Sequence, residues 1–547
     1  MNNNPILKKK IFLYITEFLA GVAIMGVETA ASRFLAPYFS SSQIIWTLII
    51  GTILIAMSIG NVLGGKMADK HNNITRLYVL LLIAGSYICF IPFIGRYIIT
   101  GVSAFFAIVT NNNLIVWATL STCLILFVPP LMICGMVTPS LIKFSLDSSA
   151  SNGKIVGTLE ALSTIGSIIG TFIPTFISIP TIGTNATFSL FGGLIVLISV
   201  VYLFTGIFSN IKNINFIKSS AMPIIFLFFT IIGIILSFKT KFVFWKDNTL
   251  KHEDESVYNY LQIKEDEKSL YFSTNVMFGV QSMIKKDKSL TGMYYDICLA
   301  APYMANYQNK NNTNMLILGN GTGTYATLVD KYIPSNKTIT GVEIDQKIID
   351  YSHKYFMMPE NIKTVCDDGR SYINRDINKY DVILVDAYSS ISTPFQMSSV
   401  EFFNKIKNHL NDDGVMVMNI NMKGNENDSL DKALSDTVCS SFKYVYKLPL
   451  PNATGDELFA TNDEYALLKL KSAINAINDY DLKTTINYVS NNLKEYKDTG
   501  IRLTDDNADV EKRSMKAIDL IIQESLINYK KVYKEKGLRG LLDYLFN

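Results

Sequence analysis

The sequence predicts two architectures in tandem: an all-α polytopic membrane domain of about seven spans, then an α/β doubly wound, Rossmann-like domain fronted by a small β lobe. Three observations carry this. Hydrophobic residues make up 49% of the 547-residue chain and charged residues 18%, yet the long apolar runs crowd before Lys239 and most acids follow it. Seven of those runs are long enough to cross a bilayer. Beyond them, Met315 to Asp345 reads as a short buried strand, a glycine turn, a helix and a second strand, the unit from which doubly wound sheets are built.

The spans fall at about 11–31, 44–64, 77–97, 113–137, 154–178, 186–207 and 220–238. Lys8-Lys9-Lys10 before an apolar stretch looks like the start of a signal peptide. Glu17 interrupts that stretch, however, and it runs on past Ala30, so it reads as a retained first helix. Lys8 to Lys10, Lys66, Lys70, Arg76, Lys143, Lys154, Lys212 and Lys218 share one side, and little beyond Arg33 and Arg96 lies on the other. The excess of positive charge puts the N-terminus in the cytoplasm of an inner (plasma) membrane. Seven crossings from that start would carry the following domain outside, whereas nucleoside cofactors are cytoplasmic; the cytoplasmic placement is the one expected. Ile98 to Thr110 is a candidate for an additional half helix.

Within the spans, Glu28 and Glu160 are acids that need a cavity or a partner, and Arg33 is a candidate partner for Glu28. A polar substrate or proton site and a helix-orienting ion pair are equal readings of these acids. Gly60 to Lys70 resembles the loop after the second helix of major-facilitator transporters, with small residues suited to close packing. Pro129, Pro130 and Pro139 are expected to kink the fourth span. The lipid bilayer is thus the first partner the sequence implies.

A net charge of +3 gives no case for nucleic-acid binding, and six scattered cysteines without a CxxC pair imply neither a disulfide framework nor a zinc site.

After the spans, residues 241–300 read as a small β-rich lobe, 301–471 as the doubly wound core and 472–547 as a C-terminal helical region. In the core, Met315 to Leu318 runs into Gly319-Asn320-Gly321-Thr322-Gly323, where glycines permit positive φ and close approach of a ligand to bare backbone. A helix begins near Tyr325, and Glu343, about 20 residues past the last glycine, ends the next strand, where such folds hold a ribose hydroxyl pair. The alternative is a tight βα turn with a surface acid. Thr364 to Arg370 reads as a strand end that carries Asp368, and Asp381 to Asp386 as a buried strand ending in Asp386. A lone strand-end acid is more often a helix cap. Three of them on one sheet edge beside a glycine turn point to one crevice.

Together these residues resemble the spermidine synthases (polyamine aminopropyltransferases), in their membrane-fused branch. The resemblance rests on Glu28 with Arg33, Gly64 to Asp69, the Gln281 segment, the α/β core and Leu503 to Glu511. It implies a small β domain, a methyltransferase-type core and decarboxylated S-adenosylmethionine as group donor, with no metal. It implies Glu343 on the ribose, Asp368 on the adenine, Gln281 near the nucleoside, Tyr294 lining the amine pocket and Asp386 as the base for a small-molecule amine. A homo-oligomer is a further implication. The family's acid before the final glycine is here Thr322, and its second acid and proline after the catalytic acid are Ser389 and Ser390. The histidine and glutamate that follow its tyrosine are Tyr295 and Asp296. These departures spare the nucleoside site and fall on the polyamine site. A transferase using S-adenosylmethionine with a non-polyamine acceptor, and a membrane transporter with a nucleoside-binding soluble domain, are the alternatives.

Overall fold

The computed structural model describes residues 6, 10–70, 74–110, 112–145, 152–208, 216–243, 249–276, 279–388, 393–421, 429–450 and 455–546. Two units emerge: Met1–Lys246 with Asp254–Tyr260 and Tyr529–Asn547, and Asp247–Glu253 with Leu261–Asn528.

The first unit is helical. Its helices are α1 (Lys10–Phe39), α2 (Gln43–Lys70), α3 (Thr75–Val109), α4 (Leu114–Leu126), α5 (Val128–Gly135), α6 (Val137–Ser145), α7 (Asn152–Ile173), α8 (Ile179–Phe208) and α9 (Phe216–Lys239). Five helical segments are long and apolar enough to cross a membrane: Lys10–Phe39, Gln43–Lys70, Thr75–Val109, Val128–Ser145 and Asn152–Thr205. Leu114–Leu126 and Pro223–Lys239 are shorter apolar helices. The 54-residue segment joins α7 and α8 through a π-helical turn, Pro174–Ser178, and is broken at Gly183, where φ is +81°. The expected fourth span is broken at Phe127 and Met136, beside Pro129, Pro130 and Pro139, because a ring nitrogen cannot donate to the helical ladder.

Two expectations need correction. Ile98 to Val109 is no separate half helix but the end of α3, since nothing between Arg96 and Thr100 interrupts the helix. Gly60 to Lys70 is no loop; α2 continues through it, and its Gly60 and Gly64 serve packing. A Cβ on Gly60 would lie 2.1 Å from the Met132 carbonyl oxygen, and one on Gly64 would lie 2.7 Å from the backbone of Met136. The same small-residue packing seats α1 on α7, where a Cβ on Gly166 would lie 2.2 Å from the Phe18 carbonyl oxygen.

Of the acids in the apolar helices, Glu28 is buried and Glu160 exposed. Arg33, the candidate partner of Glu28, turns to the carbonyl oxygens of Ser256 and, at 2.7 Å, Tyr258. Glu17 is fully buried, with Oε1 accepting from Thr138 Oγ1 at 2.6 Å.

The second unit opens with an antiparallel four-stranded sheet in the order β1 (Leu250–Glu255), β2 (Tyr260–Glu265), β3 (Ser269–Ser273), β4 (Ser282–Lys285). Helices α10 (Tyr294–Cys298) and α11 (Ala300–Met304) lead to the core: β5 (Thr313–Leu318), α12 (Thr324–Tyr332), β6 (Lys337–Glu343), α13 (Gln346–Lys354), β7 (Lys363–Cys366), α14 (Gly369–Arg375), β8 (Tyr380–Val385), α15 (Val400–Asn408) and β9 (Leu410–Ile420). Then come α16 (Leu430–Cys439), β10 (Tyr444–Pro449), β11 (Asp456–Thr461), α17 (Ala466–Ala473), α18 (Tyr480–Asn492), β12 (Lys494–Glu495) and α19 (Val510–Phe546). The large sheet runs β12-β10-β11-β9-β8-β5-β6-β7. Strands β9, β8, β5, β6 and β7 are parallel, and β11 and β10 return antiparallel beyond β9. Strand order therefore reverses between β5 and β8, where open α/β sheets form their ligand crevice. Buried Met315, Ile317, Leu328, Val329, Val382, Leu384 and Val417 fill the layer between sheet and helices.

Candidate active site

The end of β5 falls at the switch point, and the turn that follows it is built from glycine for steric reasons. Gly319, Gly321 and Gly323 have φ of +91°, +50° and +79°, a region closed to most side chains. A Cβ on Gly319 would also lie 2.4 Å from the Asp386 carbonyl oxygen, so the turn after β5 is packed directly on the turn after β8. The Asp386 amide donates to the Leu318 carbonyl at 2.9 Å and fixes that contact. Asn320 Oδ1 and Thr322 Oγ1 are buried in the turn without a hydrogen-bond partner among the described residues.

Glu343 closes β6 beside this turn. Its Oε2 accepts from the Gly321 amide at 2.9 Å and its Oε1 from the Asp345 amide at 3.2 Å. Burial outweighs those donors and pushes its pKa up to about 7. Asp368 sits at the same edge after β7, but its Oδ1 caps α14 by accepting from the Ser371 amide at 2.8 Å. The helix-cap reading of a strand-end acid therefore applies to Asp368, whereas among the described residues Asp386 and Glu343 cap no helix.

Asp386 follows the last residue of β8 and is half-buried. Its Oδ2 accepts from the Tyr294 hydroxyl at 2.6 Å and its Oδ1 from Asn419 Nδ2 at 3.0 Å. Burial of the carboxyl pushes its pKa up to about 7. Both hydrogen bonds oppose the shift and the nearby Glu343 adds to it. The Tyr294 phenol is held well above its usual range by burial and by the Asp386 charge, so it donates rather than ionises. Asp386 is thus an oriented carboxyl poised near neutrality, the property a general base needs.

The β lobe reaches the glycine turn through Ser282, whose Oγ lies 3.4 Å from the Thr322 amide. Gln281 precedes it: its side-chain Oε1 accepts from the Thr274 amide at 2.9 Å and its carbonyl from the Tyr295 hydroxyl at 2.6 Å. Two of the departing residues therefore have structural work, Tyr295 on Gln281 and Asp296 in a turn. The buried Asp296 accepts from the Thr291 amide and hydroxyl at 2.9 Å and from the Gly292 amide at 2.6 Å. Ser389 and Ser390 lie outside the described residues.

Sequence reasoning missed one acid. Glu457, at the start of β11, is fully buried and stands opposite Asn419 of β9, the residue that donates to Asp386. Nothing local marks Glu457, because only the antiparallel return of β10 and β11 brings the start of a strand to this edge. Among the described residues, no group of three His, Cys, Asp or Glu is arranged to hold a metal.

The spermine/spermidine synthase domain matches residues 301–460. A probable polyamine aminopropyl transferase of Bifidobacterium longum is 44% identical over 320 residues, covering 55% of this chain and 70% of the relative. The polyamine aminopropyltransferase of Bacillus cytotoxicus is 28% identical over 176 residues, and the chain spans 61% of that relative's length. The crystal structure of spermidine synthase from Thermotoga maritima covers 45% of this chain and 88% of its own, at 18% identity and a TM-score of 0.37, too distant to bear on function. On its identity to the Bifidobacterium enzyme, this chain belongs to the polyamine aminopropyltransferase family and is an enzyme of that kind.

Proposed function

We propose that the chain is a membrane-anchored aminopropyltransferase. It would move the aminopropyl group of decarboxylated S-adenosylmethionine to a putrescine-like amine, with the catalytic domain in the cytoplasm. One observation carries the reading: a carboxyl at the switch point, Asp386, oriented by Tyr294 and Asn419 beside a glycine turn. The glycine turn and Glu343 would take the ribose, Asp368 the adenine amino group through Oδ2, and Gln281 the nucleoside's flank. The donor supplies a carbon activated by an adjacent sulfonium. Attack by the acceptor nitrogen forms the new C–N bond as the C–S bond breaks, and the electron pair leaves on sulfur as a neutral thioether.

An ammonium cannot attack, so the acceptor must first lose a proton, and Asp386 takes it. Tyr294 and Asn419 fix the carboxylate so that the nitrogen it deprotonates lies in line with the breaking bond. After transfer, Asp386 returns the proton to solvent.

Asp386→Asn in the full-length protein tests this. Turnover is expected to fall by roughly 10²–10⁴-fold, while calorimetric titration with decarboxylated S-adenosylmethionine or methylthioadenosine gives unchanged affinity. Retained turnover rejects Asp386 as the base. Tighter binding of the carboxylated donor would favour the alternative transferase reading.

A second reading, cation passage through the helical unit, is favoured by Glu17, whose Oε2 is buried without a partner among the described residues. It predicts polyamine uptake that is lost in Glu17→Gln while nucleoside binding stays intact.

A further inference from the structure

The acids that the resemblance implies for the far end of an amine are replaced in this chain, and the fold brings another buried acid to the edge of the sheet that carries Asp386. Residues directly opposite on neighbouring strands point to one face. Asp386 donates its backbone amide to the end of β5 and accepts from Asn419 on β9, and Asn419 stands opposite Glu457 on β11. Asp386, Asn419 and Glu457 therefore form a row across the crevice edge, with Glu457 two strands, or roughly 10 Å, beyond Asp386. Helix α10 runs along the same row. Tyr294 donates to Asp386, and Cys298, four residues later on the same helical face, donates its thiol to Glu457 Oε2 at 3.5 Å.

Glu457 is fully buried, and its Oε1 has no hydrogen-bond partner among the described residues. Its neighbour Asp456, on the opposite face of the strand, is equally buried but is neutralised by Lys447 Nζ at 2.8 Å. Glu457 has no such cation among the described residues. A buried carboxyl left in this state is costly unless something arrives to pair it. An ammonium brings both the charge and the donor that Oε1 lacks.

We propose that Glu457 holds the second ammonium of the acceptor, so that the enzyme selects a short-chain diamine over a monoamine. The proposal rests on Asp386 as the base of aminopropyl transfer. The position separates acceptor from donor: Glu343 and the glycine turn lie on β6 and β5, on the other side of β8. A group on the β11 side is therefore reached only by a chain extending past the attacking nitrogen, away from the nucleoside. Throughout the reaction the far nitrogen stays protonated on Glu457 while the near one gives its proton to Asp386.

The test compares 1,4-diaminobutane with 1-aminobutane as acceptors for the full-length wild-type protein and for Glu457→Gln. In the wild type, kcat/KM for the diamine exceeds that for the monoamine by at least about 10-fold. In Glu457→Gln, KM for the diamine rises about 10- to 150-fold, the worth of a hydrogen bond to a charged group. Neither kcat nor the monoamine reaction changes appreciably, so the preference collapses. Unchanged calorimetric affinity for the donor shows that the variant is folded; if that affinity is lost, the wild-type comparison alone decides. Equal use of both amines by the wild type, or an intact preference in Glu457→Gln, overturns the role of Glu457. Transfer that survives Asp386→Asn overturns the base assignment alone, and no transfer to either amine overturns both.

Discussion

At the scale of single residues, the acid proposed as the base is set apart by how its oxygens are held. Asp386 receives donors from two side chains, whereas Asp368 spends one oxygen on the Ser371 amide. With its pKa pushed up to about 7, Asp386 is neutral below that pH and unable to take a proton. kcat/KM should therefore rise as pH passes upward through about 7. The Tyr294 hydroxyl stabilises the charged form, so its removal raises the pKa further. Tyr294→Phe is expected to move the acid limb of the kcat/KM profile to higher pH, and a limb that stays in place or moves down would disconnect Tyr294 from the base. Donor affinity should also weaken below about pH 7, because Glu343 loses its charge in the same window. Isothermal titration at pH 6 and pH 8 measures that loss separately from turnover. Glu343 and Asp386 were both legible in the sequence, since each ends an apolar run within a local strand–turn–helix pattern. The roles of Tyr295 and Asp296 were not, because a side chain's hydrogen-bond partners are set by tertiary packing.

At the scale of elements, the turn after β5 was legible because glycines at 319, 321 and 323 leave few alternatives to positive φ. Its reach was less so: the turn is wedged against the backbone of Asp386 and Ala387. Gly319→Ala therefore faces both the left-handed penalty, about 1–2 kcal/mol, and a collision that backbone must move to relieve. Gly500 has φ of +101° with open space around it, so Gly500→Ala meets the conformational penalty alone. Thermal unfolding should show a far larger loss for Gly319→Ala, with donor binding abolished, and a modest loss with binding intact for Gly500→Ala. Similar losses in the two variants would mean that the turns after β5 and β8 do not constrain each other. Glu457 escaped sequence reasoning for an element-level reason. A doubly wound pattern locates the ends of parallel strands, but β11 runs antiparallel and presents its beginning to the same edge.

At the scale of the whole molecule, the apolar half was legible as helix, and its detailed crossings were not. The breaks at Phe127 and Met136 were legible from Pro129, Pro130 and Pro139, whereas composition, which measures only length and hydropathy, carries no sign of the break at Gly183. The cytoplasmic placement proposed for the catalytic domain rests on chemistry. A sulfonium nucleoside is made and kept in the cytoplasm, so an enzyme that consumes it is expected to face that way. The protein carries its own reporter of this, because Cys366 at the end of β7 is exposed while Cys89, Cys123, Cys134 and Cys298 are buried and Cys439 is half-buried. A membrane-impermeant maleimide applied to intact cells should leave the protein unlabelled. Permeabilised cells should show labelling that disappears in Cys366→Ser. Labelling of intact cells that is lost in the same variant would put the catalytic domain outside, beyond reach of a cytoplasmic donor. The proposed reaction would then require an exported donor, and the buried Glu17 of the helical unit would become the better starting point for the protein's function.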